Sequence, residues 1–380
     1  MPRVALMLCC VAAWAAPQVS VAQKGEETMK VHEPVHTDVF RRGEDGYHTY
    51  RIPSVITTLK GTLLAFCEGR KESTRDQSPT DMALRRSLDG GKTWTPMQVV
   101  VKAVPDAAMD PCPLVDRTTG VVWLVYDYWP QGFMGQKITG LGPDAVSCWV
   151  THSADDGVTW SKPVNITQTT KKPHWTGVAH GPGVGIQTRA GRFVVPCNQY
   201  VDGRSCLVIY SDDHGQTWQM GGEVGPGMSE SQVVELADGT LMLNMRSTRG
   251  KHRRAIATSA DGGKSWSPLR DEPTLIEPVC QGSFIRYTLA AERGKNRLLF
   301  CNPGSEQSRV NGAVRLSYDE GQTWPVVKTL VPGSFAYCCL TVLSDMTLGC
   351  LYETDNYRRI CFARFTLEWL TDGADRVDGK

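Results

Sequence analysis

The chain has 380 residues, with 41 Lys and Arg against 40 Asp and Glu, and a formal net charge of +1 at pH 7. A charge this close to zero creates no overall field that would attract nucleic acid or an anionic membrane, so we expect neither as a partner. The length fits one large all-β repeat domain, in which an anionic ligand would need positive charge concentrated in a pocket.

The first 22 residues have the features of a secretory signal peptide. Arg3 is their only charged side chain, an apolar run extends over residues 4–16, and Ser20-Val21-Ala22 offers small residues for cleavage. The apolar run is too short for a stable membrane anchor, so we expect no membrane span. We therefore expect residues 1–22 to be removed and the protein to be secreted or periplasmic.

Five copies of one eight-residue motif, here called Asp boxes, organise the rest of the chain. Each follows the pattern Ser-x-Asp-x-Gly-x-Thr/Ser-Trp. The copies run from Ser87 to Trp94, Ser153 to Trp160, Ser211 to Trp218, Ser259 to Trp266 and Ser317 to Trp324. Asp and Gly suit a tight hairpin turn, because Asp accepts bonds from nearby N–H groups and Gly takes positive φ. We expect each Trp to pack back as an apolar plug, which makes these residues part of the fold rather than of catalysis.

The segments between Asp boxes alternate apolar and polar residues in short runs, as strands do, and no long amphipathic helix pattern occurs. The boxes recur at about the spacing of one four-stranded blade. With the segments before Ser87 and after Trp324 counted, this pattern predicts an all-β, six-bladed β-propeller with five Asp-box hairpins. The tail from Ile360 to Leu370 is predicted to be a strand that closes the ring, and one domain is predicted over residues 30–372.

The cysteines give no sign of a metal site. The chain has 13 Cys, and removal of Cys9 and Cys10 with the signal peptide leaves an odd number, so at least one stays unpaired. No CxxC pair and no HExxH motif occurs. We expect most cysteines to be buried as small apolar residues in strands; one or two disulfides are compatible with the sequence, without an assignable pairing.

The Asp boxes, preceded by Tyr50-Arg51-Ile52-Pro53, give the chain a specific resemblance. It resembles the bacterial-type exo-sialidase (neuraminidase) family, which also includes animal sialidases, over nearly the whole length after the signal peptide. The resemblance implies a retaining exo-sialidase that hydrolyses terminal sialic acid from mucins, other glycoproteins, gangliosides and sialyl-oligosaccharides. It implies no metal and no organic cofactor.

The substrate of such an enzyme carries a carboxylate on its anomeric carbon, and a guanidinium group binds a carboxylate with two parallel hydrogen bonds. The three arginines that bind it in the family match Arg51 in YRIPS, Arg246 in LMLNMRS and Arg309 in NPGSEQSRVNG. Arg315 is the alternative for the third position. Glu353 matches the family residue that pairs with the first arginine and orients it.

The expected nucleophile is a tyrosine. A carboxylate nucleophile would be repelled by the substrate's own carboxylate, whereas a phenol is neutral, and sialidases are the glycosidases that use Tyr. The family's Tyr matches Tyr337 in GSFAYCCL, and its base matches Glu230 in MSESQVVEL, with Glu235 as the alternative. The chain departs from the family at Cys338 and Cys339, where Ser-Ser or Ser-Ala is common.

The family's acid/base is an Asp on a mobile loop of the first blade, a few residues after a Phe-x-Glu-x-Arg stretch. That stretch matches Phe66–Arg70, so Asp76 is the candidate and Asp81 the alternative. Arg70 matches a family arginine that faces the carboxylate side of the pocket.

Three further positions match pocket residues of the family. Asp110 resembles a residue that bonds the 4-position of the sugar, and Gln281 in CQGS matches another pocket-lining position. Trp129 or Trp175 is the candidate to cover the N-acetyl methyl group.

Two other activities are compatible with the same fold, since a trans-sialidase or an intramolecular trans-sialidase differs only in the acceptor. A non-catalytic sialic-acid-binding lectin is the alternative of another class. Such a lectin is expected to lack Tyr337 or Glu230, and this chain has both.

Overall fold

The computed structural model describes residues 1–2, 32–130, 137–201 and 203–377. Contacts within the chain divide it into Met1–Lys30 and Val31–Lys380. The predicted signal peptide lies outside the described residues, except for residues 1–2, and stays a prediction. None of the helices in the described ranges is long and apolar enough to cross a membrane.

The secondary structure consists almost entirely of short strands. The first half contains β1 Val35–Arg41, β2 Thr49–Thr57, β3 Leu63–Arg70, β4 Thr80–Ser87, β5 Gln98–Val101, β6 Ala107–Val115, β7 Val122–Trp129, β8 Ser147–Ser153, β9 Val164–Asn165, β10 Val178–His180, β11 Ile186–Gln187 and β12 Phe193–Gln199. The second half contains β13 Ser205–Ser211, β14 Gln219–Met220, β15 Met228–Glu235, β16 Leu241–Ser247, β17 Arg253–Ser259, β18 Arg270–Ile276, β19 Ser283–Thr288, β20 Arg297–Pro303, β21 Val310–Ser317, β22 Val326–Ser334, β23 Cys338–Val342, β24 Leu348–Thr354 and β25 Arg359–Phe365. The helices, of four residues each, are α1 Thr167–Thr170, α2 Ala290–Arg293 and α3 Leu367–Leu370.

The described strands form sheets that are arranged in a closed ring. The sheets comprise β2–β9, β10–β14, β15–β18, β19–β22 and β23–β25 with β1. Contacts run from β2 to β6 within the first sheet, and between sheets from β6 to β10, β12 to β15, β15 to β19, β19 to β23, and from β23 back to β2. We call β2, β6, β10, β15, β19 and β23 the ring-lining strands. The prediction of an all-β propeller is confirmed.

The ring is closed by strands from both ends of the domain. β1 pairs antiparallel with β25, with Val35 opposite Arg364 and Arg41 opposite Arg359. The predicted closing strand is confirmed up to Phe365 and is wrong for the residues that follow. There α3 begins, because the Thr366 hydroxyl accepts the Trp369 N–H at 3.1 Å and caps the helix.

The five Asp boxes form the predicted hairpins, and each one begins at the last residue of a strand, namely β4, β8, β13, β17 or β21. In the third box the Ser211 hydroxyl donates to Asp213 and accepts the Gly215 N–H, while Asp213 accepts the Thr217 N–H and hydroxyl. The other boxes repeat these bonds. Bonds from the Thr93 hydroxyl and N–H lower the pKa of Asp89 to about 2.

The core lies between the sheets and follows from the apolar runs in the sequence. Every residue of β3 and of β13 is buried, as expected for strands covered on both faces. Trp218 of the third box is 2% exposed and packs into the core, as predicted for the motif. The described cysteines are all free and buried, which confirms their predicted role as small core residues.

Candidate active site

A cavity of about 290 Å³ lies at the end of the ring where the ring-lining strands begin. Eight of the predicted site residues line it, namely Arg51, Arg70, Asp76, Asp110, Glu230, Arg246, Arg309 and Tyr337. They come from strands and loops spread over the ring, so the fold brings together residues that are far apart in sequence. Gln281 and Glu353 lie behind the wall of the cavity.

Three of the ring-lining strands are irregular where they meet the cavity. Their pairing registers shift between Arg51 and Ser54 in β2, between Met109 and Cys112 in β6, and between Met228 and Ser231 in β15. Ile52 and Asp110 have φ of 59° and 52° at these irregularities, a costly conformation for a β-branched residue such as Ile. Bulges turn side chains away from the regular alternation, and here they direct Arg51, Asp110 and Glu230 into the cavity.

Glu353 anchors the first arginine from behind. Its carboxylate, which has no exposed surface, accepts Arg51 Nε at 2.6 Å and the Ile52 N–H at 2.9 Å. It also accepts the Tyr337 N–H at 3.2 Å. One buried carboxylate therefore fixes both an arginine and the backbone of the candidate nucleophile, and the pairing that the resemblance implied for Glu353 and Arg51 occurs in the structure.

Tyr337, Glu230 and Arg246 form a hydrogen-bonded cluster in the cavity. The Tyr337 hydroxyl donates to Glu230 Oε1, while Arg246 Nη1 donates to Glu230 Oε2 at 2.6 Å and to the Tyr337 oxygen at 3.1 Å. Burial, reinforced by the charge of Glu230, raises the pKa of Tyr337 well above its usual value. The phenol therefore stays protonated at rest, with an acceptor in place for its proton.

The third arginine, Arg309, is held by an aromatic residue that the sequence analysis missed. Arg309 Nη1 donates to the Tyr357 hydroxyl at 3.1 Å. The Tyr357 ring lies 4.3 Å from the Arg51 guanidinium, a cation–π contact. Both Arg51 and Arg309 also lie over the Tyr337 ring, at 5.5 and 5.3 Å. Tyr357 follows Glu353 by four residues, but no motif marks it.

The candidate acid/base lies on an exposed loop that reaches the cavity. The Asp76 side chain is 62% exposed, and its Oδ1 is 2.9 Å from Arg70 Nη1. Arg70 is fully buried and is held by Glu68, whose Oε2 accepts Arg70 Nε at 2.8 Å. Glu68 Oε1 accepts the Asp110 N–H at 3.0 Å. Glu68, which was not predicted as a site residue, thus connects the Asp76 loop with the bulge at Asp110.

Asp110 lies among other carboxylates. Burial, together with the charges of Asp127, Glu68 and Glu230, raises the pKa of Asp110 well above its usual value. Asp127 is itself buried and bonds His180 Nδ1. A protonated Asp110 would be able to donate as well as accept a hydrogen bond, which suits a partner that is a sugar hydroxyl.

Gln281 has a structural role outside the cavity. Its amide donates to the carbonyl oxygens of Pro182 and Cys338 and accepts the Cys338 N–H. It is 2% exposed, so it supports the strand after Tyr337 rather than lining the cavity.

Four alternative residues from the sequence analysis do not line the cavity, namely Arg315, Glu235, Asp81 and Trp175. Arg315 bonds Asn302 in a buried position, and Glu235 bonds Arg189 N–H at the opposite end of β15. Asp81 is buried and accepts the Tyr47 hydroxyl and the Ala103 N–H. Trp175 is part of the core, whereas Trp129 lines the cavity.

The rest of the cavity wall includes residues that no sequence motif identified. Asn198, Tyr200 and Arg204 line its side next to Trp129. Among the described residues, five arginines and four carboxylates line the cavity, and this small excess of positive charge suits an anionic organic ligand. The tyrosine–glutamate pair beside the arginines suits nucleophilic attack on that ligand.

Comparison with known proteins identifies the family of the chain. Residues 61–350 match the model of the BNR repeat-like domain family. The chain is similar to a sialidase of Micromonospora viridifaciens, with 39% identity over 359 residues that cover 89% of this chain and 55% of that protein. It therefore spans little more than half the length of that relative.

Two further proteins match over more of their own length. Sialidase-2 of Cricetulus griseus is 32% identical over 362 residues, which cover 86% of this chain and 94% of that protein. The structure of the Hadza microbial sialidase Hz136 aligns with a TM-score of 0.82 and 34% identity, covering 88% of this chain and 69% of that one. The protein belongs to the sialidase family.

Proposed function

We propose that this protein is a retaining exo-α-sialidase, which hydrolyses terminal sialic acid from glycans. The observation that carries the proposal is the cluster of Tyr337, Glu230 and Arg246 in a cavity that also holds Arg51 and Arg309. A tyrosine paired with a glutamate supplies the nucleophile and its base, and the arginines supply a binding site for a carboxylate.

In the proposed complex, Arg51, Arg246 and Arg309 bind the carboxylate of sialic acid. Glu353, Glu230 and Tyr357 hold these guanidinium groups in place before the ligand arrives, so less side-chain freedom is lost on binding. Asp110 is placed to bond a sugar hydroxyl, and Trp129 to contact an apolar group of the ligand.

The first chemical step forms a bond between the Tyr337 oxygen and the anomeric carbon. Glu230 takes the phenolic proton as the bond forms, and Asp76 gives its proton to the departing glycan oxygen. Because burial keeps the pKa of Tyr337 high, the phenol is not deprotonated in advance, and proton transfer to Glu230 accompanies the attack.

The second step hydrolyses the sialyl-enzyme. Asp76 removes a proton from water, which attacks the anomeric carbon, and the phenolic oxygen leaves and regains its proton from Glu230. Two displacements at one carbon give net retention of configuration. The exposure of Asp76 allows its loop to adjust around the substrate.

Further proposals concern the molecule as a whole. We propose six blades, because β2–β5 and β6–β9 share one sheet only through the pairing of Thr80 with Ala107. We also propose one catalytic domain over residues 30–372, removal of residues 1–22, and a secreted or periplasmic location. The proposed substrates are sialylated mucins and other glycoproteins, gangliosides and sialyl-oligosaccharides.

The test is the release of free sialic acid from a fluorogenic aryl sialoside by the wild type and by Tyr337→Phe. We expect turnover by the wild type and a loss of several orders of magnitude in the variant. Tyr318→Phe is the matched control, since it removes a hydroxyl bonded to a carboxylate outside the cavity, and it should keep its activity.

Nuclear magnetic resonance should show that the sialic acid is first released as the anomer with the configuration of the substrate. A folded wild type that binds sialic acid without any turnover would contradict the proposal and favour the lectin. Transfer of sialic acid to an added acceptor in preference to water would instead identify a trans-sialidase.

A further inference from the structure

Three cysteines meet outside the cavity. Cys301 of β20, Cys338 at the start of β23 and Cys350 of β24 have no exposed surface, and their Sγ atoms all lie within 4.8 Å of one another. The three residues are widely separated in sequence, so no short motif predicts that they lie together. Their strands belong to two neighbouring sheets, β19–β22 and β23–β25 with β1.

The pairing of the strands explains why these thiols converge. Cys338 pairs with Tyr352 and Leu340 pairs with Cys350, so Cys338 and Cys350 are diagonal neighbours on one face of the sheet. Cys338 Sγ also donates to the Cys301 carbonyl oxygen at 3.2 Å across the interface between the sheets. The surroundings are otherwise apolar, since the cysteines share a core cluster with Leu340 and Phe335.

A buried positive charge lies behind Cys301, on the other face of the same sheet. Arg315 lies on β21, which pairs with β20 at Cys301 and its neighbours. Its side chain is 5% exposed and donates to Asn302 Oδ1 at 2.8 Å, and its charge acts on the Cys301 thiol. In the described ranges no carboxylate forms an ion pair with it. Because an uncompensated buried charge is unfavourable, Arg315 favours negative charge on the Cys301 sulfur.

We propose that Cys301, Cys338 and Cys350 together bind one Cu(I) ion. Thiolates are soft ligands that select Cu(I), whereas structural zinc takes four ligands. No fourth Cys, His, Asp or Glu belongs to this group in the described part of the chain. With metal–sulfur bonds of about 2.3 Å, a trigonal site separates its sulfurs by about 4 Å, which the observed spacing accommodates.

Binding of the ion is an exchange of cations without electron transfer. Cu(I) displaces protons from the thiols, the protons pass to solvent, and the copper stays monovalent. Arg315, behind Cys301, offsets part of the negative charge on that sulfur. The ion would then connect β20 to β23 and β24, and thereby two neighbouring sheets of the ring, directly after Tyr337. This proposal is independent of the proposed function, because the cluster lies outside the cavity.

The test is an anaerobic titration of the reduced full-length protein with Cu(I), in competition with a chromophoric Cu(I) chelator. Loading is measured on the folded protein and on protein refolded in the Cu(I) buffer, because the site is buried. We expect one Cu(I) per chain and a copper X-ray absorption spectrum with three sulfur neighbours. Cu(I) should also raise the melting temperature, since the three thiols are brought together only in the folded state and bind the ion more tightly there than in the unfolded chain.

Cys350→Ser removes one ligand and should weaken binding by more than about tenfold. Cys197→Ser is the matched control, because Cys197 is also free and fully buried but belongs to a different core cluster, and it should bind as the wild type does. Cys301→Ser provides a second ligand variant, and near-ultraviolet circular dichroism establishes that each variant is folded.

Three results would overturn the proposal. One is a folded wild type that takes up no Cu(I), and another is unchanged affinity in both ligand variants. The third is Zn(II) binding as tight as Cu(I) binding, which would assign the site to a different ion.

Discussion

At the residue scale, aromatic side chains organise the guanidinium groups of the site. Arg51 lies between the rings of Tyr337 and Tyr357, and Arg309 contacts the first ring and the hydroxyl of the second. These two arginines, which line the cavity, are thus held by one carboxylate and two aromatic residues. Tyr357 is therefore a positioning residue for Arg51 and Arg309.

Tyr357→Phe tests this role. The variant loses the hydroxyl that accepts from Arg309 but keeps the ring against Arg51. A hydrogen bond of this kind contributes about 0.5–1.5 kcal/mol, so we expect KM to rise by roughly 2–10-fold with kcat little changed. Steady-state kinetics on an aryl sialoside measures both constants. Tyr357→Ala also loses the ring and should raise KM further; an equal effect of the two variants would exclude a contribution of the ring.

The site residues that stand in local sequence motifs could be predicted, whereas those whose role depends on the tertiary structure could not. Arg51, Glu230, Arg246 and Tyr337 stand in local motifs, and the structure brings them together in one cavity. Glu68 stands in the Phe66–Arg70 stretch, but its connecting role depends on the bulge at Asp110. The sequence analysis did not predict this bulge or the positive φ of Asp110.

At the scale of single elements, the Asp boxes are small self-bonded units. Their bonds join residues at most four positions apart, as in the Asp213 hairpin. Such local bonds explain why the sequence alone predicted all five hairpins, whereas α3 was missed. Its cap, Thr366, is followed by residues that suit a strand as well as a helix.

We predict that Asp213→Ala destabilises the protein without affecting catalysis. The change removes the acceptor of the Thr217 N–H and hydroxyl, while the hairpin is exposed to water, so we expect a loss of about 1–2 kcal/mol in the free energy of unfolding. Chemical denaturation measures the loss, and KM should stay unchanged. Asp212→Ala is the control, since this neighbouring carboxylate forms only an exposed ion pair with Arg192 and should cost less. Equal losses would contradict a specific role of the box.

At the scale of the whole molecule, the residues after the last strand stabilise the ring. Asp375 accepts Arg297 Nε at 2.7 Å and Nη2 at 2.8 Å, and also bonds Lys295 and Tyr318. Arg297 is 2% exposed, on the neighbouring sheet. Asp375 lies beyond residue 372, the predicted end of the domain. The sequence did not predict its role, because nothing near Asp375 in the sequence indicates that it pairs with the distant Arg297.

Asp375→Ala should lower the free energy of unfolding by about 3 kcal/mol, because it leaves Arg297 buried without its partner.

Burial opposes ionisation of Asp375, but bonds from Arg297, Lys295 and Tyr318 outweigh it and lower its pKa. A lowered pKa gives stability that is present above the ordinary Asp value and is lost as the pH falls. The difference in melting temperature between wild type and variant should therefore shrink in acid. Asp372→Ala, at a highly exposed carboxylate, is the control; a difference independent of pH would contradict the assignment.

The pairing of β1 with β25 sets the order in which a newly made chain can complete its fold. Of the described strands, β1 is synthesised first, whereas its hydrogen-bonding partner β25 is synthesised last. Until then β1 lacks the strand with which it pairs, while β10–β22 already hold all the strands of their own sheets. Ring closure, and with it the placement of Glu353 behind Arg51, therefore follows translation of all the other described strands of the ring.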